Sequence, residues 1–252
     1  MKIAVISRKD ALERRSRIAK HLDTGAHEWF FVDASEGDPI SELPLHTDAR
    51  RLKGRELPRG EIGCFHSHWF LWRALAQSDD AWLCVLEDDV LLDLSLDFER
   101  LTQTLDGVGA HYIRLHFLFW APHKNLGRFG RRTIVRFTST PLGTQAYLIS
   151  RTAAAKFVRS ITEIRTSIDD EMDRFWIHGV PVLGLFPFPT LELGVPSTIF
   201  TQPFQRDPKT LPDILFRQVS RMAERGRRLS CNLRLRGFDD RCRRTLPQQV
   251  KR

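Results

Sequence analysis

The chain has 252 residues, of which 42% are hydrophobic and 10% aromatic, enough to bury a sizeable core and to exclude a disordered protein. No apolar run approaches the roughly 20 residues of a membrane-spanning helix, and the opening apolar stretch is too short for a signal peptide. The formal net charge is +8, and four cysteines show no Cys-x-x-Cys pair or zinc-type spacing. We therefore expect reduced thiols and a cytoplasmic protein.

The first predicted elements alternate between strand and helix. A strand is predicted for KIAVIS at residues 2–7, a basic turn and helix for residues 8–22, and a second strand for EWFFVDA at residues 28–34. Residues 36–60 contain repeated Gly and Pro breaks, which favour an irregular segment. A mobile substrate loop would suit that segment.

A helix is predicted over residues 61–77, with apolar side chains clustered on one face. His68 lies in the middle of this apolar stripe, where a buried, hydrogen-bonded structural histidine is the more common explanation. Cys64 and His68 are four residues apart, which places both on one face of the helix. They form only a weak metal signal, because further ligands are missing from the local pattern.

The most informative segment is WLCVLEDDV at residues 82–90, where an apolar strand runs directly into Glu87, Asp88 and Asp89. A strand that is apolar on both faces is typical of the interior of a parallel sheet, and ligands bind at the carboxyl ends of such strands. Three adjacent carboxylates repel one another unless a cation neutralises them, and oxygen ligands suit Mg²⁺ or Mn²⁺. The pattern predicts a divalent metal site; a solvated acidic turn is the alternative.

The elements that follow continue the alternation of strand and helix. We expect a helix near residues 95–105, strands at 111–117 and 132–138, then a strand and a helix from TQAYLIS onwards. The alternation predicts an α/β fold with a mostly parallel central sheet flanked by helices. Residues 182–202 are broken by prolines and are expected to form edge strands and loops.

A second acidic cluster lies in TSIDDEMDRFW, which contains Asp169, Asp170 and Glu171 ahead of two aromatic residues. One interpretation is an ordinary helix start, with Ser167 as cap and carboxylates favoured by the helix dipole. The other is a carboxylate general base beside an aromatic sugar-binding wall, because removing a proton from an attacking hydroxyl needs a positioned carboxylate or histidine.

The net charge is concentrated in the C-terminal tail, residues 213–252, which holds 12 Lys or Arg and 4 Asp or Glu, so that residues 1–212 are neutral. Apolar and basic side chains fall on two sides of a predicted amphipathic helix. Such a helix could lie on an anionic membrane surface or pack back on its own domain. Nucleic acid is an unlikely partner, because the tail has only two aromatic stacking residues. The residues on the two sides of this helix are Leu215, Val219 and Met222, and Arg217, Arg221, Arg225 and Arg228.

An ordered set of motifs resembles glycosyltransferase family 25, the lipooligosaccharide and lipopolysaccharide galactosyltransferases that also include collagen galactosyltransferases. The motifs cover about residues 1–205, and the basic tail lies outside them. Each motif is weak alone, but the ordered set is specific. The motifs are VISRKDALERR near the start, GEIGCFHSHWFLW at 60–72, VLEDDV at 85–90, AYLISRTAAAKF at 146–157, SIDDEM at 167–172 and PSTIF at 196–200.

The resemblance implies a GT-A-like nucleotide-sugar-binding fold over residues 1–212, a UDP-sugar donor, dependence on Mn²⁺ or Mg²⁺, and inversion at the anomeric carbon. On this basis Asp89 is the expected direct metal ligand, and Glu87 binds the metal or the ribose hydroxyls. Asp88 is expected to point away, because alternate residues of a strand face opposite sides. Asp169 is the best family match for the base, with Asp170 and Glu171 as alternatives.

The resemblance also suggests donor contacts outside the acidic segment. Ser7 stands where the family usually has Asn after the first strand, which puts the uracil or ribose contacts in doubt; Arg8 or Arg15 could compensate by approaching the diphosphate. Glu61 and Ser67 match the second motif and are expected to line the donor pocket, with Glu61 at the exposed start of the helix as the more plausible contact.

The leading hypothesis is a metal-dependent inverting enzyme that moves a hexose, most plausibly galactose from UDP-galactose, onto a lipid-linked oligosaccharide such as a lipopolysaccharide core. The tail would place this enzyme at the inner face of the inner membrane. One alternative is a nucleotidyltransferase or another metal-dependent phosphoryl-transfer enzyme; the other is a non-catalytic protein that docks to the membrane.

Overall fold

The computed structural model describes residues 1–194 and 210–248. The strands in chain order are β1 Lys2–Ser7, β2 Trp29–Asp33, β3 Trp82–Glu87, β4 Val90–Leu92, β5 Tyr112–Arg114, β6 His123–Phe129, β7 Arg132–Phe137, β8 Ala146–Ser150, β9 Leu183–Phe186 and β10 Thr190–Glu192. The helices are α1 Leu12–Leu22, α2 Ala49–Lys53, α3 Arg59–Gln77, α4 Phe98–Val108, α5 Arg151–Ser160, α6 Ile168–Met172, α7 Phe175–His178, α8 Leu211–Arg234 and α9 Arg236–Thr245.

Eight strands form one central sheet in the order β2-β1-β3-β8-β5-β9-β7-β6. Six of them run in one direction, whereas β7 and β8 run antiparallel to their neighbours. The predicted α/β class with a mostly parallel central sheet is therefore confirmed, and the reversed strands make the sheet mixed. Strands β4 and β10 form a separate antiparallel pair beside it.

Hydrophobic cores cover both faces of the sheet, as the apolar character of its strands predicts. Within β1, Ala4 and Ile6 belong to one core and Ile3 and Val5 to the other. Helices α3, α5, α6 and α7 contribute to the first core, and α1, α4 and α9 to the second. Because both sides are buried, polar side chains collect where the strands end.

The parallel pairing of β1 with β3 positions the polar strand ends. Ile6 pairs with Glu87 across these strands, and Ser7 pairs with Asp33 of β2. The carboxyl ends of three neighbouring strands therefore meet at one edge of the sheet. Helix α3 contacts β2, and its first turns lie beside the same edge of the sheet.

Two local predictions differ from the structure, and a third cannot be compared with it. The segment 36–60, expected to be irregular, contains helix α2, and α3 begins at Arg59. Strand β9 is an interior strand between β5 and β7 and not an edge strand, because the prolines around it lie outside its paired residues. The PSTIF motif at 196–200 lies outside the described residues.

The predicted amphipathic helix of the tail is confirmed as part of α8. Helix α9 packs on α4 and β6 and buries Phe238 and Cys242 in the second core. It is tied to the sheet by Asp239, which accepts hydrogen bonds from Arg136 at 2.5 and 3.0 Å and from Lys124 at 2.7 Å. Within the described residues, no helix is both long enough and apolar enough to span a bilayer. The division at residue 212 stays a prediction.

We predict that Asp239→Asn destabilises the protein by about 3–5 kcal/mol at neutral pH, because it leaves the fully buried Arg136 guanidinium without its counter-ion. Burial disfavours ionised Asp239, but Arg136 and Lys124 outweigh it and lower the pKa of the carboxyl. This stabilisation is present above the unfolded-state pKa and is lost as pH falls through the lower folded-state pKa. Urea unfolding of both proteins at pH 7.5 and in acid measures it.

Asp240→Asn is the matched control, because that neighbouring side chain is 59% exposed and, among residues 1–194 and 210–248, pairs only with Arg243, at 3.6 Å. We expect a change within about 0.5 kcal/mol for this variant. Equal destabilisation by both substitutions would contradict the proposed anchor.

Candidate active site

A cleft of about 390 Å³ lies at the carboxyl ends of β1 and β3, under the first turns of α3. This volume lies within the range of small-molecule sites. The cleft brings together five of the residues predicted from the sequence as donor or metal contacts. They are Ser7, Arg8, Ser67, Glu87 and Asp89. Its other polar lining residues include Arg14, Ser35, Glu36, Arg59, Cys64, His68 and Asp88.

Asp88 does not point away from the cleft, which corrects the expectation from strand alternation. The strand ends at Glu87, so the turn that follows directs Asp88 toward β1 and α1. Its carboxylate accepts a hydrogen bond from the Ser7 hydroxyl at 2.6 Å and pairs with Arg14 at 3.0 Å. Asp88 is thus the neutralised member of the acidic cluster.

Asp89 carries the uncompensated charge of the cluster. Its Oδ1 atom is buried and has no hydrogen-bond partner among the described residues. Burial, together with the charges of Glu87 and Asp88, raises the pKa of Asp89 to about 7. A buried carboxylate oxygen surrounded by like charges is a suitable ligand for a hard divalent cation.

Glu87 is oriented by a chain of hydrogen bonds that starts on α3. The Trp72 indole N–H donates to the Tyr147 hydroxyl at 2.9 Å, so the Tyr147 hydrogen is available for His68 Nδ1 at 2.8 Å. With Nδ1 accepting, His68 Nε2 carries the hydrogen and lies 3.7 Å from Glu87 Oε1, beyond hydrogen-bond length, so this atom has no hydrogen-bond partner among the described residues and acts on Glu87 through its proximity. The structural role predicted for His68 is confirmed, and its contact with Glu87 is additional.

The Glu87 carboxylate also accepts a short hydrogen bond from the Thr144 hydroxyl. Burial alone would raise the pKa of Glu87, but His68 and Thr144 outweigh it and the pKa lies below its usual value. Thr144 lies between β7 and β8, where the sequence carries no local signal for this contact.

The residues at this strand end fit a divalent cation. Glu87 and Asp89 supply oxygen ligands, and the Asp89 oxygen lacks another partner. The ligand atoms of Cys64, His68 and Glu87 also lie within 4.8 Å of one another, so Glu87 supplies the third group that the Cys64–His68 pair lacked in sequence. Because His68 Nε2 carries a hydrogen, the carboxylate oxygens are the better ligands.

Arg15, expected from the sequence as a possible diphosphate contact, is engaged elsewhere, and its neighbour Arg14 faces the cleft. Arg15 donates to the Ser7 carbonyl at 2.8 Å and to Asp33 at 2.5 Å, and it does not line the cleft. Arg14 lines the cleft instead. Arg8 lies at the rim, where it pairs with the exposed Asp10.

The two predicted contacts on α3 also differ from each other. Glu61 is 8% exposed and is held by both terminal nitrogens of Arg55, at 2.9 and 2.6 Å, so it is not the exposed contact that we expected. Ser67 lines the cleft, donates to the Gly63 carbonyl at 2.7 Å and accepts from the Ser35 N–H at 2.9 Å. Ser67 therefore fastens α3 to the segment after β2.

The three residues of the second acidic cluster, Asp169, Asp170 and Glu171, lie in the short helix α6. Asp170 pairs with Lys53 at 2.7 Å, and Glu171 is buried and binds Arg174 through both oxygens at 2.9 Å. Asp169 has no ion pair within the described residues and accepts only the Asp170 N–H at 2.9 Å. Of the three candidates, Asp169 has the carboxylate that remains available.

The predicted cap of α6 is different in detail. The Ser167 side chain makes no capping hydrogen bond to the backbone and instead contacts Asp170 and Lys53. Asp169 lies near enough to Cys64 for its charge to act on the thiol, whose pKa is raised by burial, then by Glu87 and Asp169. The two acidic clusters therefore approach each other around Cys64.

A buried ion pair that the sequence did not reveal connects the residue after α6 to the end of strand β5. Arg114, at the end of β5, donates to Asp173 at 2.6 Å, and the side chains of these two residues are almost fully buried. Arg114 also donates to the Asp169 carbonyl at 3.5 Å. Asp173 also accepts the Leu142 N–H at 2.7 Å. This pair fixes the position of α6 relative to the sheet.

We predict that Asp89→Asn raises the melting temperature of the EDTA-treated protein above pH 7. The pKa of Asp89 is raised on folding, so its ionisation costs stability as pH rises above the unfolded value of about 4, and the cost is complete above about 7. The gain should disappear below about pH 4. Thermal unfolding followed by circular dichroism at several pH values tests this.

Adding Mn²⁺ should stabilise the wild-type protein and leave the Asp89→Asn variant unchanged. Asp79→Asn, at an exposed position before β3, is the surface control. Lower stability of Asp89→Asn in EDTA at pH 8 would show that Asp89 makes a stabilising contact and is not held for a ligand.

Comparison with known proteins identifies the family. The chain is 28% identical over 173 residues to the lipooligosaccharide biosynthesis protein lic2B of Haemophilus influenzae, covering 65% of this chain and 64% of that protein. It is 27% identical over 187 residues to lex-1 of the same species, another lipooligosaccharide biosynthesis protein, covering 61% of each. It is also 31% identical over 113 residues to procollagen galactosyltransferase 1-A of Xenopus laevis, covering 41% of this chain and 18% of that protein.

The chain thus spans less than two thirds of the length of these relatives. The model of glycosyltransferase family 25, described as LPS biosynthesis proteins, matches residues 1–172, which include both acidic clusters. The chain belongs to glycosyltransferase family 25.

Proposed function

We propose that the protein is a metal-dependent inverting glycosyltransferase that moves galactose from UDP-galactose onto a lipooligosaccharide or lipopolysaccharide core acceptor. The observation that carries the proposal is the buried, unpartnered Asp89 oxygen beside Glu87 in the cleft at the end of β3. The names of its relatives support the choice of donor and acceptor, because they are lipooligosaccharide biosynthesis proteins and a procollagen galactosyltransferase.

The cleft residues have separate proposed roles in donor binding. Asp89 and Glu87 would hold Mn²⁺ or Mg²⁺, which supplies positive charge for the diphosphate of the UDP leaving group. His68 and Thr144 keep Glu87 ionised and oriented for this role. Arg14 and Ser7 occupy the oxygens of Asp88, so that Asp88 does not compete for the same cation.

Asp169 is the proposed general base. Inversion requires the acceptor hydroxyl to attack from the side opposite the leaving UDP, and a carboxylate must take its proton. Helix α6, which carries Asp169, packs against α3, which carries the cleft residue Cys64, and Asp169 has no cationic partner in the described residues. Asp170 and Glu171 are held by Lys53 and Arg174, which suits them to fixing α6.

We predict that Asp169→Asn lowers the turnover number for UDP-galactose by about 10²–10⁴-fold, the usual contribution of a general base, and leaves UDP binding unchanged. Asp89→Asn should instead weaken Mn²⁺-dependent UDP binding. UDP release with a sugar acceptor and calorimetric titration of UDP measure the two effects in parallel.

Asp170→Asn is the matched control for the base, because it makes the same chemical change at the adjacent carboxylate. Normal turnover in Asp169→Asn would contradict its role. UDP-sugar binding without any UDP release in the wild type would favour the non-catalytic alternative, and absence of UDP-sugar binding with Mn²⁺ present would contradict the proposed donor.

The proposal also places the enzyme at the inner face of the inner membrane through helix α8. Six large apolar residues recur at helical spacing along this helix and are each at least 50% exposed. An exposed apolar row of this length is typical of an interaction surface, and basic residues beside it favour an anionic bilayer. The row consists of Leu211, Leu215, Val219, Met222, Leu229 and Leu233.

We predict that replacing Leu215, Val219 and Met222 together by Ser weakens binding to phosphatidylglycerol vesicles by at least about tenfold, because each side chain loses apolar burial in the interface. These positions are exposed, so the fold should survive, whereas removing the whole tail would also remove the buried part of α9. Vesicle flotation measures the effect.

Leu12→Ser is the control, because Leu12 is a 73% exposed leucine on α1, outside the apolar row. Vesicle binding that is unaffected by the triple substitution would contradict the membrane role. A change in oligomeric state without a change in vesicle binding would assign the row to a contact between two copies of the chain.

A further inference from the structure

A second, larger cleft of about 840 Å³ lies between α8 on one side and α2 and α6 on the other. Asp170 and Glu171 line this cleft, whereas the first cleft contains Glu87 and Asp89. Asp169 precedes these two residues and acts electrostatically on Cys64, which lines the first cleft. Helix α6, which carries the proposed base, thus lines the second cleft and packs against α3, which lines the first.

The second cleft has an excess of positive charge. Eight Lys or Arg residues line it against four Asp or Glu residues. Three of the four acidic groups are already neutralised by cations that line the same cleft: Asp170 pairs with Lys53 at 2.7 Å, and Glu171 and Glu224 both pair with Arg174 at 2.9 and 2.8 Å. The remaining cations set the potential of the cleft.

Five of these cations have no ion pair within the described part of the chain, and three of those five make no hydrogen bond there either. These three are Arg165 on the α6 side and Arg221 and Arg225 on α8. Two walls of a concave site thus present unpaired guanidinium groups to the same space. Such an arrangement concentrates anions and binds phosphate or carboxylate oxygens through several donors.

Aromatic side chains accompany the cations. Trp176 and Phe216 line opposite sides of the cleft and are partly exposed. The Trp176 indole donates a short hydrogen bond to Glu224, and the Arg228 guanidinium lies 5.7 Å from its ring centroid. A fixed aromatic ring offers an apolar surface to the C–H face of a sugar ring, while its edge remains in a polar setting.

We propose that the second cleft binds the acceptor and selects a glycan that carries an anionic group, phosphate or carboxylate, which Arg165, Arg221 and Arg225 bind. The proposal rests on the proposed transferase function, because it places the acceptor in the cleft lined by Asp170 and Glu171, next to the proposed base Asp169. It also gives the Arg ladder of α8 a glycan contact, in addition to the membrane contact proposed above for the apolar row of that helix.

The test compares lactose 1-phosphate, lactose and inorganic phosphate as ligands of the full-length protein, by calorimetry in the presence of UDP and Mn²⁺. We expect lactose 1-phosphate to bind at least about tenfold more tightly than either of the others. The variant Arg221→Glu/Arg225→Glu should lose this preference. Equal binding of lactose and lactose 1-phosphate would overturn the proposal.

Inorganic phosphate that binds as tightly as lactose 1-phosphate would assign the cleft to a free anion and would also overturn the glycan claim. The matched control is Arg236→Glu/Arg244→Glu, which changes the net charge equally at exposed positions on α9 outside the cleft. Equal loss in both variants would show a general charge effect and reject the site.

UDP binding separates this inference from the proposed function. If the wild type binds UDP with Mn²⁺ but shows no preference for the phosphorylated sugar, the acceptor inference fails and the transferase proposal stands. If the wild type does not bind UDP, the proposed function fails first. We expect the Arg221→Glu/Arg225→Glu variant to bind UDP as the wild type does.

Discussion

Repulsion among three adjacent carboxylates at the end of β3 is the constraint to which the surrounding structure responds. Each member of the cluster is treated differently. Arg14 and Ser7 neutralise Asp88, and the His68 and Thr144 side chains hold Glu87. Asp89 alone keeps a buried oxygen without a partner. A fold that retains such an oxygen gives up stability at this point, which is typical of ligand sites.

The rest of the fold brings separate parts of the chain to this strand end. The parallel pairing of β1 and β3 places Ser7 beside the acidic turn, and α3 contributes His68 through a hydrogen-bond chain rooted in the core. The buried Arg114–Asp173 pair fixes α6 so that Asp169 approaches from another side. The donor side of the proposed reaction therefore depends on β1, β3 and α3, and the base depends on α6, which the buried pair holds against the sheet.

Much of this arrangement follows from local sequence patterns. Strand β1 matches its predicted range, and α3 begins two residues before the predicted start, because apolar periodicity is strong in both segments. The acidic strand end was also predictable, since unbroken apolar residues lead directly into it. The positions of Arg14 and Arg15 were not, because adjacent residues of a helix differ in direction by about 100° and only tertiary packing decides which one faces the cleft.

The two largest departures come from contacts between distant segments. Glu61 is buried because Arg55, which lies in a segment expected to be irregular, donates hydrogen bonds to both of its carboxylate oxygens. Helix α8 differs from most amphipathic helices: its basic side lines a cleft of the protein, and its apolar row is exposed, with Val219 of that row also bordering the cleft. The helix is attached to the domain by polar contacts and not by apolar burial: Asp213 and Glu224 form ion pairs with the domain, and Arg51 stacks on Phe216.

The most direct test of the central claim is an electron paramagnetic resonance titration of Mn²⁺ with the wild-type protein and Asp89→Asn, with and without UDP. The signal of free Mn²⁺ reports how much of the ion is bound. We expect the wild type to bind Mn²⁺ more tightly when UDP is present and Asp89→Asn to lose most of this binding. Equal Mn²⁺ binding by the two proteins in the presence of UDP would contradict the assignment of the β3 strand end as the donor metal site.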